Sequence, residues 1–176
     1  MKKVLLLALA LLLCGAFTAT AAETKIGVVD LQKALNLSAE GKAAKDKISA
    51  KVKDYETVIN KRQAELKSLK EDLEKQSAVL SPEARDSKEH DYQQKLKDFQ
   101  RYTKDVQDEL QQQDSEHTNR IIDKLVKLVQ EMGKRDGYDL IVERNSGGVI
   151  YAGDKVDLTD AVLKEFDTRF KASPSK

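Results

Sequence analysis

The chain has 176 residues, of which 31 are Lys or Arg and 30 are Asp or Glu, for a formal net charge of +1. That length is typical of a single domain, and the near balance of charge argues against long-range attraction to DNA or to anionic lipid. Charged residues make up 35% of the chain, Trp is absent and Pro occurs twice, a composition that favours long helices with charged outer faces over a thick globular core.

Residues 1–22 have the features of a cleaved export signal. A positive start is followed by an apolar run, Val4 to Leu13, that is too short to span a bilayer, and by a small-residue cleavage site ending at Ala21 or Ala22. Cleavage removes two lysines and Cys14, leaving 29 basic and 30 acidic side chains. The mature chain is therefore predicted to be exported, near neutral and free of disulfides and thiol nucleophiles.

The mature chain is predicted to begin with a short buried strand, residues 25–30, in which β-branched residues predominate. A helical segment follows from Leu31. Between Asn36 and Gly41 we expect a break, because Ser38 is suited to cap a new helix and Gly41 weakens a continuous one.

From Ile48 to Leu80 the seam positions recur at alternating spacings of four and three, the pattern of a coiled coil. Arg62 and Gln76 interrupt the apolar stripe, which lowers its stability and helps to fix its register. The seam consists of Ile48, Val52, Tyr55, Ile59, Arg62, Leu66, Leu69, Leu73, Gln76 and Leu80.

Ser81 and Pro82 break this helix, since Pro disfavours helical geometry in the preceding residue and suits the first position of a helix that Ser caps. Two complementary seams flanking one break predict an antiparallel helical hairpin. Its outgoing arm, from Glu40 to Leu80, would be about 60 Å long. Apolar residues become denser after this seam, between Ile121 and Met132. The second seam consists of Tyr92, Leu96, Phe99, Thr103, Val106, Leu110, Gln113 and His117.

The return helix is predicted to end near Gly137. Two further strands, residues 138–144 and 148–151, are expected on either side of a Gly-bearing turn. A last helix, residues 159–170, has Thr159 as its expected N-cap, and residues 172–176 are expected to be a disordered tail.

The predicted fold is mainly α with a small β body, from which a long antiparallel coiled-coil hairpin projects. Residues 23–47 and 118–171 form the body, and residues 48–117 form the arm, with its tip near 81–82. A body of three short strands has a thin core and free strand edges, so a homo-oligomer is expected. The residues predicted to build this associating body are Ile26, Val28, Val29, Leu140, Val142, Val149 and Ile150.

The sequence contains no constellation typical of catalysis, metal binding or cofactor binding. His90 and His117 are far apart, and neither has Cys or a second His at ligand spacing. Gly41 and Lys42 lack the remaining positions of a phosphate-binding loop. The protein is therefore expected not to be an enzyme, to need no cofactor and to bind no nucleic acid.

Apolar residues away from the seam are the candidates for contact with a client chain. On the arm these are Val58, Ala64, Val79 and Tyr102. Most of the dense stretch where the arm meets the body is expected to be core, and a minority to line a cavity between subunits. The candidates for that cavity base are Ile121, Leu125, Leu128 and Met132.

Blocks at both ends of the mature chain carry a family resemblance. The first is Lys25-Ile-Gly-Val-Val-Asp30 followed by Glu40-Gly-Lys-Ala-Ala44. The second comprises residues 138–142, 149–151 and 156–160. In this order they resemble the Skp/OmpH family of periplasmic chaperones.

The resemblance implies a periplasmic homotrimer in which short strands from three subunits form a β-barrel body and three arms surround a cavity. It also implies that the cavity holds unfolded outer-membrane β-barrel proteins without ATP and prevents their aggregation before insertion. Any membrane contact would then be indirect, through clients. The near-neutral charge departs from strongly basic members, so no lipopolysaccharide site is carried over. The alternative is a periplasmic coiled-coil adaptor that docks a fixed partner through its arm tips.

Overall fold

A computed structural model describes residues 24–76 and 78–172, so the predicted export signal and residues 173–176 lie outside the described part of the chain. The fold is mainly helical, as predicted. Helix α4 includes Ala172, where the disordered tail was expected to begin. The elements in chain order are β1 (Ile26–Val29), α1 (Leu31–Leu37), α2 (Ala39–Gln76), α3 (Pro82–Asp136), β2 (Leu140–Glu143), a 3-10 turn (Asp154–Val156) and α4 (Thr159–Ala172).

Helices α2 and α3 form the predicted antiparallel hairpin. Every residue of both predicted seams is at least partly buried. Side chains that join the two helices fix the register along the arm: Lys124 donates to Glu40 at 2.6 Å near the body, and Lys88 donates to Gln76 at 2.7 Å near the tip. The alternating spacing of four and three therefore identified the buried face of each helix.

The tip of the arm has the predicted cap. Ser81 is the N-cap of α3, its hydroxyl accepts a hydrogen bond from the Ala84 backbone N–H at 3.2 Å, and Pro82 occupies the first turn. An N-cap hydroxyl satisfies a donor that the helix start leaves unpaired, which is why α3 begins here.

The predicted break near Ser38 is also present. The buried Ser38 hydroxyl accepts from the Gly41 N–H at 3.0 Å and donates to the Leu35 carbonyl at 2.9 Å, so it links the end of α1 to the start of α2. A side chain at Gly41 would collide with the Leu35 carbonyl oxygen. Close packing between the two helices therefore accounts for this glycine.

Strand β1 pairs with β2 in parallel, and Ile26 lies opposite Leu140. On the other side of β1, the Leu158 N–H donates to the Val28 carbonyl at 2.8 Å. Strand β1 is therefore covered on both edges, and the free edge of the sheet belongs to β2. Gly137 ends α3 with a φ of 69°, a left-handed conformation that Gly adopts without strain.

Two predictions for the body are corrected. Residues 148–151 do not form a strand in the single chain, because they pair with no other strand in its described part. Thr159 is not an N-cap: its buried hydroxyl accepts from the Asp30 N–H at 2.9 Å, and the Asp157 carboxylate instead accepts from the Thr159 N–H at 2.9 Å. Thr159 thus ties the start of α4 to the end of β1.

The core lies where α1, the end of α3 and α4 meet one face of the sheet. It consists of Val29, Ala34, Leu35, Ile121, Leu125, Leu128, Met132, Val162 and Phe166. On its rim, Arg135 of α3 forms a two-fold hydrogen bond with Glu165 of α4, at 2.9 and 3.0 Å, and Arg169 pairs with Glu165 at 2.8 Å. The pair between Arg135 and Glu165 fastens α4 to the base of the arm, whereas the pair between Arg169 and Glu165 lies within α4.

Candidate interaction surfaces

The face of the two-stranded sheet that points away from the core is covered at Val28 but open at one end. Alternate residues of a strand point to opposite faces, and Val29 and Ile141 point to the core. Ile26 and Leu140, which lie opposite each other on the other face, are 43% and 52% exposed. Parallel sheets are normally buried on both faces, and two strands alone are marginal in water. This face therefore presents apolar surface to solvent.

The loop that follows β2 adds apolar surface. Ile150 and Tyr151 are almost completely exposed. The ends of the loop are held, since the Arg144 N–H donates to the Val29 carbonyl at 2.8 Å and the Arg144 guanidinium pairs with Asp157 at 2.7 Å. Two large apolar side chains are thus presented to solvent by a loop that is anchored at both ends.

Asp157 has a second role at that anchor. Burial raises the pKa of its carboxyl, but hydrogen bonds from Thr159 and the nearby Arg144 charge outweigh burial and hold the pKa below its usual range. The carboxylate is therefore charged under ordinary conditions, and it joins the loop to the first turn of α4.

The residues predicted to build the associating body fall into two groups. Val29 belongs to the core of its own chain and Val28 is also buried, so neither is available to a partner. The others remain wholly or partly accessible: Ile26, Leu140, Val142, Val149 and Ile150. Tyr151 belongs to the predicted strand 148–151 but is not among the predicted body residues. The signal that could have identified it is a large aromatic residue beside Ile150, in a segment with no internal partner.

On the arm, three of the four predicted client-facing residues are exposed. Val58 and Ala64 lie on the outside of α2, and Val79 is 82% exposed at the tip. The prediction that Tyr102 faces a client is corrected. Its ring packs edge to face against Tyr55 with 6.5 Å between centroids, and the Arg62 guanidinium lies 4.0 Å from its centroid.

Tyr55 also belongs to a polar cluster that joins the two helices of the arm. Its hydroxyl donates to Glu109 at 2.7 Å, and Gln113 donates to the same carboxylate at 2.7 Å. Lys51 lies 3.4 Å from it. The hydrogen bond from Tyr55, more than the lysine, holds the pKa of Glu109 below its usual value. A specific polar cluster between two long helices fixes their register.

The four residues predicted to line a cavity base are all core residues. Ile121, Leu125, Leu128 and Met132 are between 0% and 6% exposed. Helices α1 and α4 cover them, so this prediction is corrected for the single chain. A groove of about 560 Å³ does lie at the arm base, and Ile121 contributes to its lining together with more peripheral residues that include Asn36, Ile48, Asp114 and His117.

Neither that groove nor the rest of residues 24–76 and 78–172 contains a metal site. Within those ranges no group of three His, Cys, Asp or Glu side chains is placed to hold an ion. His117 lies with its Nδ1 3.0 Å from the Arg120 guanidinium, a contact on the surface of α3. The helices within those ranges are also each too short or too polar to cross a membrane.

The sequence of this chain is similar to those of known proteins along most of its length. The sequence profile of the family described as outer membrane protein (OmpH-like) matches residues 25–166. A Skp-like protein of Pseudomonas aeruginosa is 30% identical, over 83% of this chain and 86% of its own. The chaperone protein Skp of Blochmanniella pennsylvanica is 23% identical, over 82% and 86% of the two chains.

A solved structure shows the same fold. An OmpH-like protein from Caulobacter crescentus superposes with a TM-score of 0.77 at 19% identity, covering 85% of this chain and 88% of its own. The profile match includes both strands, the whole hairpin and most of α4. The hairpin arm, the parallel strand pair and the profile match together place this chain in the OmpH-like family.

Proposed function

We propose that this protein is a periplasmic holdase chaperone that assembles as a homotrimer and holds unfolded outer-membrane proteins between its arms without ATP. The observation that carries the proposal is an open apolar sheet face at the base of a long charged hairpin. Relatives named chaperone protein Skp, and a similar structure described as an outer membrane chaperone, support the role. The predicted export signal supports the location.

The open sheet face supports self-association. Ile26, Leu140, Ile150 and Tyr151 present large apolar side chains that a soluble single chain would be expected to cover. Pairing of the free β2 edge with residues 148–151 of a second copy would bury these side chains and give the unpaired backbone groups of that edge hydrogen-bond partners. The strand predicted at 148–151 would then form only in the assembly.

The arm supports the holding of a client. Helix α2 has 38 residues, a length of about 57 Å, so three arms would enclose a deep space. Unfolded barrel strands alternate apolar residues and aggregate readily. Sparse apolar residues such as Val58, Ala64 and Val79 would each bind such a strand weakly. Many weak contacts together give useful affinity and still allow release without an energy source.

The chaperone role is tested by diluting an unfolded outer-membrane barrel protein from denaturant and following light scattering. We expect the protein to suppress scattering when its trimer is in molar excess. Absence of suppression would contradict the holdase proposal. Absence of suppression together with a stable complex with one folded partner would instead support the arm-tip adaptor.

The assembly is tested separately by replacing Val149 and Ile150 with Asp and measuring mass by analytical ultracentrifugation. We expect a folded monomer, because both residues lie outside the core of the single chain. The matched control is Val58→Asp on the arm, which should leave the trimer intact. A trimer that survives the double substitution would show that the body has been assigned wrongly.

A further inference from the structure

The two helices of the arm carry opposite charge near the body. Residues 42–53 of α2 contain five lysines and one carboxylate. Residues 105–119 of α3 contain five carboxylates and no Lys or Arg. These two ranges, here called the lysine stretch and the carboxylate stretch, lie at the same level of the arm, as the contact between Lys51 and Glu109 shows.

Most of this charge is not neutralised within one chain. Between the two stretches, as the structure describes them, Lys51–Glu109 is the only ion pair, with 3.4 Å between its charged atoms. The remaining lysines are exposed and form no ion pair with any other described residue. They are Lys42, Lys45, Lys47 and Lys53.

The same holds for part of the carboxylate stretch. Asp105 and Asp114 are exposed and have no cationic partner among the described residues. The distal arm differs, because Lys67 pairs with Glu71 and Lys70 with Glu74, one helical turn apart. Separation of charge between the two helices is therefore a feature of the proximal arm.

We infer that, in the assembled protein, the lysine stretch of one arm faces the carboxylate stretch of the next, so that attraction between neighbouring arms closes the base of the cavity. The inference rests on the proposed homotrimer. In a cyclic assembly each subunit presents a different flank to each of its two neighbours. Each gap between arms would then join a flank of net charge +4 to a flank of net charge −5.

The strength of such contacts suits a cavity that opens and closes. Ion pairs between exposed side chains are weak, typically about 0–1 kcal/mol each, and are screened by salt. Several of them would draw two arms together without locking them. A bulky client could then part the arms, and release of the client would let them close again.

The first test is zero-length cross-linking with a carbodiimide, which joins a carboxylate to an amine in contact with it. Trimers are assembled from an equal mixture of unlabelled and nitrogen-15-labelled chains, so that a cross-link between subunits can contain one peptide of each kind. We expect mixed-label cross-links between the lysine and carboxylate stretches. Their yield should fall at least fivefold between about 0.02 M and about 0.5 M NaCl, as the Debye length shortens from about 20 Å to about 4 Å.

The second test reverses the charges. Lys47→Glu with Lys53→Glu should strongly reduce the mixed-label cross-links and increase the distance between spin labels attached through Ser87→Cys near the tips. Adding Asp105→Lys and Asp114→Lys to the same chain should restore both measurements. The matched control is Lys67→Glu with Lys70→Glu on the distal arm, which should change neither the cross-link yield between the two stretches nor the distance between the tip labels.

Sedimentation of the same samples separates the two proposals. A trimer that gives only single-label cross-links between the stretches, or a yield that does not depend on salt, overturns the inference and leaves the proposed function standing. Mixed-label cross-links that appear only after client is added also overturn it, because the stretches would then respond to the client. A monomer would overturn both proposals.

Discussion

The Tyr55 hydroxyl on α2 donates a 2.7 Å hydrogen bond to the Glu109 carboxylate on α3. The same tyrosine ring packs edge to face against Tyr102. A polar contact and an aromatic contact thus meet at one level of the coiled coil. This combination sets which residues of the two helices lie opposite each other.

Tyr55→Phe should raise the pKa of Glu109, because the hydroxyl is the largest cause of its lowered value. Since that pKa is lowered in the folded arm, Glu109 stabilises the arm above its ordinary pKa, and the contribution is lost as the pH falls through the folded value. Carbon-13 NMR titration of the Glu109 carboxyl measures the change. The control is Tyr92→Phe, since the Tyr92 hydroxyl forms no hydrogen bond with another described residue, and it should leave the Glu109 titration unaltered.

Docking of α4 should weaken in acid. The hydrogen bond from Arg135 is the main cause that lowers the pKa of Glu165 below its usual 4.5, and Arg169 adds to it. The ion pair therefore stabilises the body above about pH 4.5 and is lost as the pH falls through the lower folded value. Glu165→Gln should reduce stability by about 1 kcal/mol near neutral pH and flatten its dependence on acid.

Thermal unfolding between about pH 3 and pH 7 tests that expectation for Glu165→Gln. Glu83→Gln, an exposed carboxylate in the first turn of α3 at the arm tip, is the control and should keep the acid dependence of the unaltered protein. Equal flattening in both variants would show that Glu165 has no particular part in docking α4.

Leu125→Ala should destabilise the protein by about 2–5 kcal/mol, because the side chain is completely buried among α1, α3 and α4 and its loss leaves a cavity. Denaturant unfolding measures the change. Val58→Ala, on the exposed face of the arm, should cost no more than about 0.5 kcal/mol. Similar losses for the two variants would contradict the assignment of Leu125 to the core.

Ser81→Ala should cost about 1 kcal/mol, since it removes the hydrogen bond that caps α3 at the arm tip. Hydrogen exchange should become faster around the Ala84 amide while exchange in the body stays the same. Ser87→Ala, six residues into the same helix, is the control and should have little effect. Faster exchange in the body of the Ser81 variant would show that the cap acts beyond the tip.

Local patterns were sufficient to predict the arm, whereas the body depends on contacts between distant residues. The seam spacing identified the buried face of both helices because each helix buries one stripe against the other. Tyr102 was misplaced because its neighbours, Tyr55 and Arg62, come from the opposite helix and leave no mark in the local sequence. Thr159 was misplaced for the same reason, since its partner Asp30 lies 129 residues away.

Two further predictions were wrong because the sequence does not show which helices and strands surround a residue. The stretch from Ile121 to Met132 was divided between core and cavity because the sequence does not show that α1 and α4 both cover it. Residues 148–151 have the composition of a strand, but a strand also requires an edge to pair with. In one chain β1 already has a neighbour on each side, and residues 148–151 do not pair with the free edge of β2.

The pairing of Ile26 with Leu140 makes folding of the body wait for nearly the whole chain. Strand β1 emerges early during synthesis, but its partner follows 114 residues later. The hairpin between them can form from its tip towards the body through local contacts, which form quickly. Closing a loop of this length by random search is slow. Once the hairpin has formed, it brings the two strands together. A prematurely terminated chain would therefore make an arm without a body, and completion of synthesis would act as a checkpoint before subunits associate.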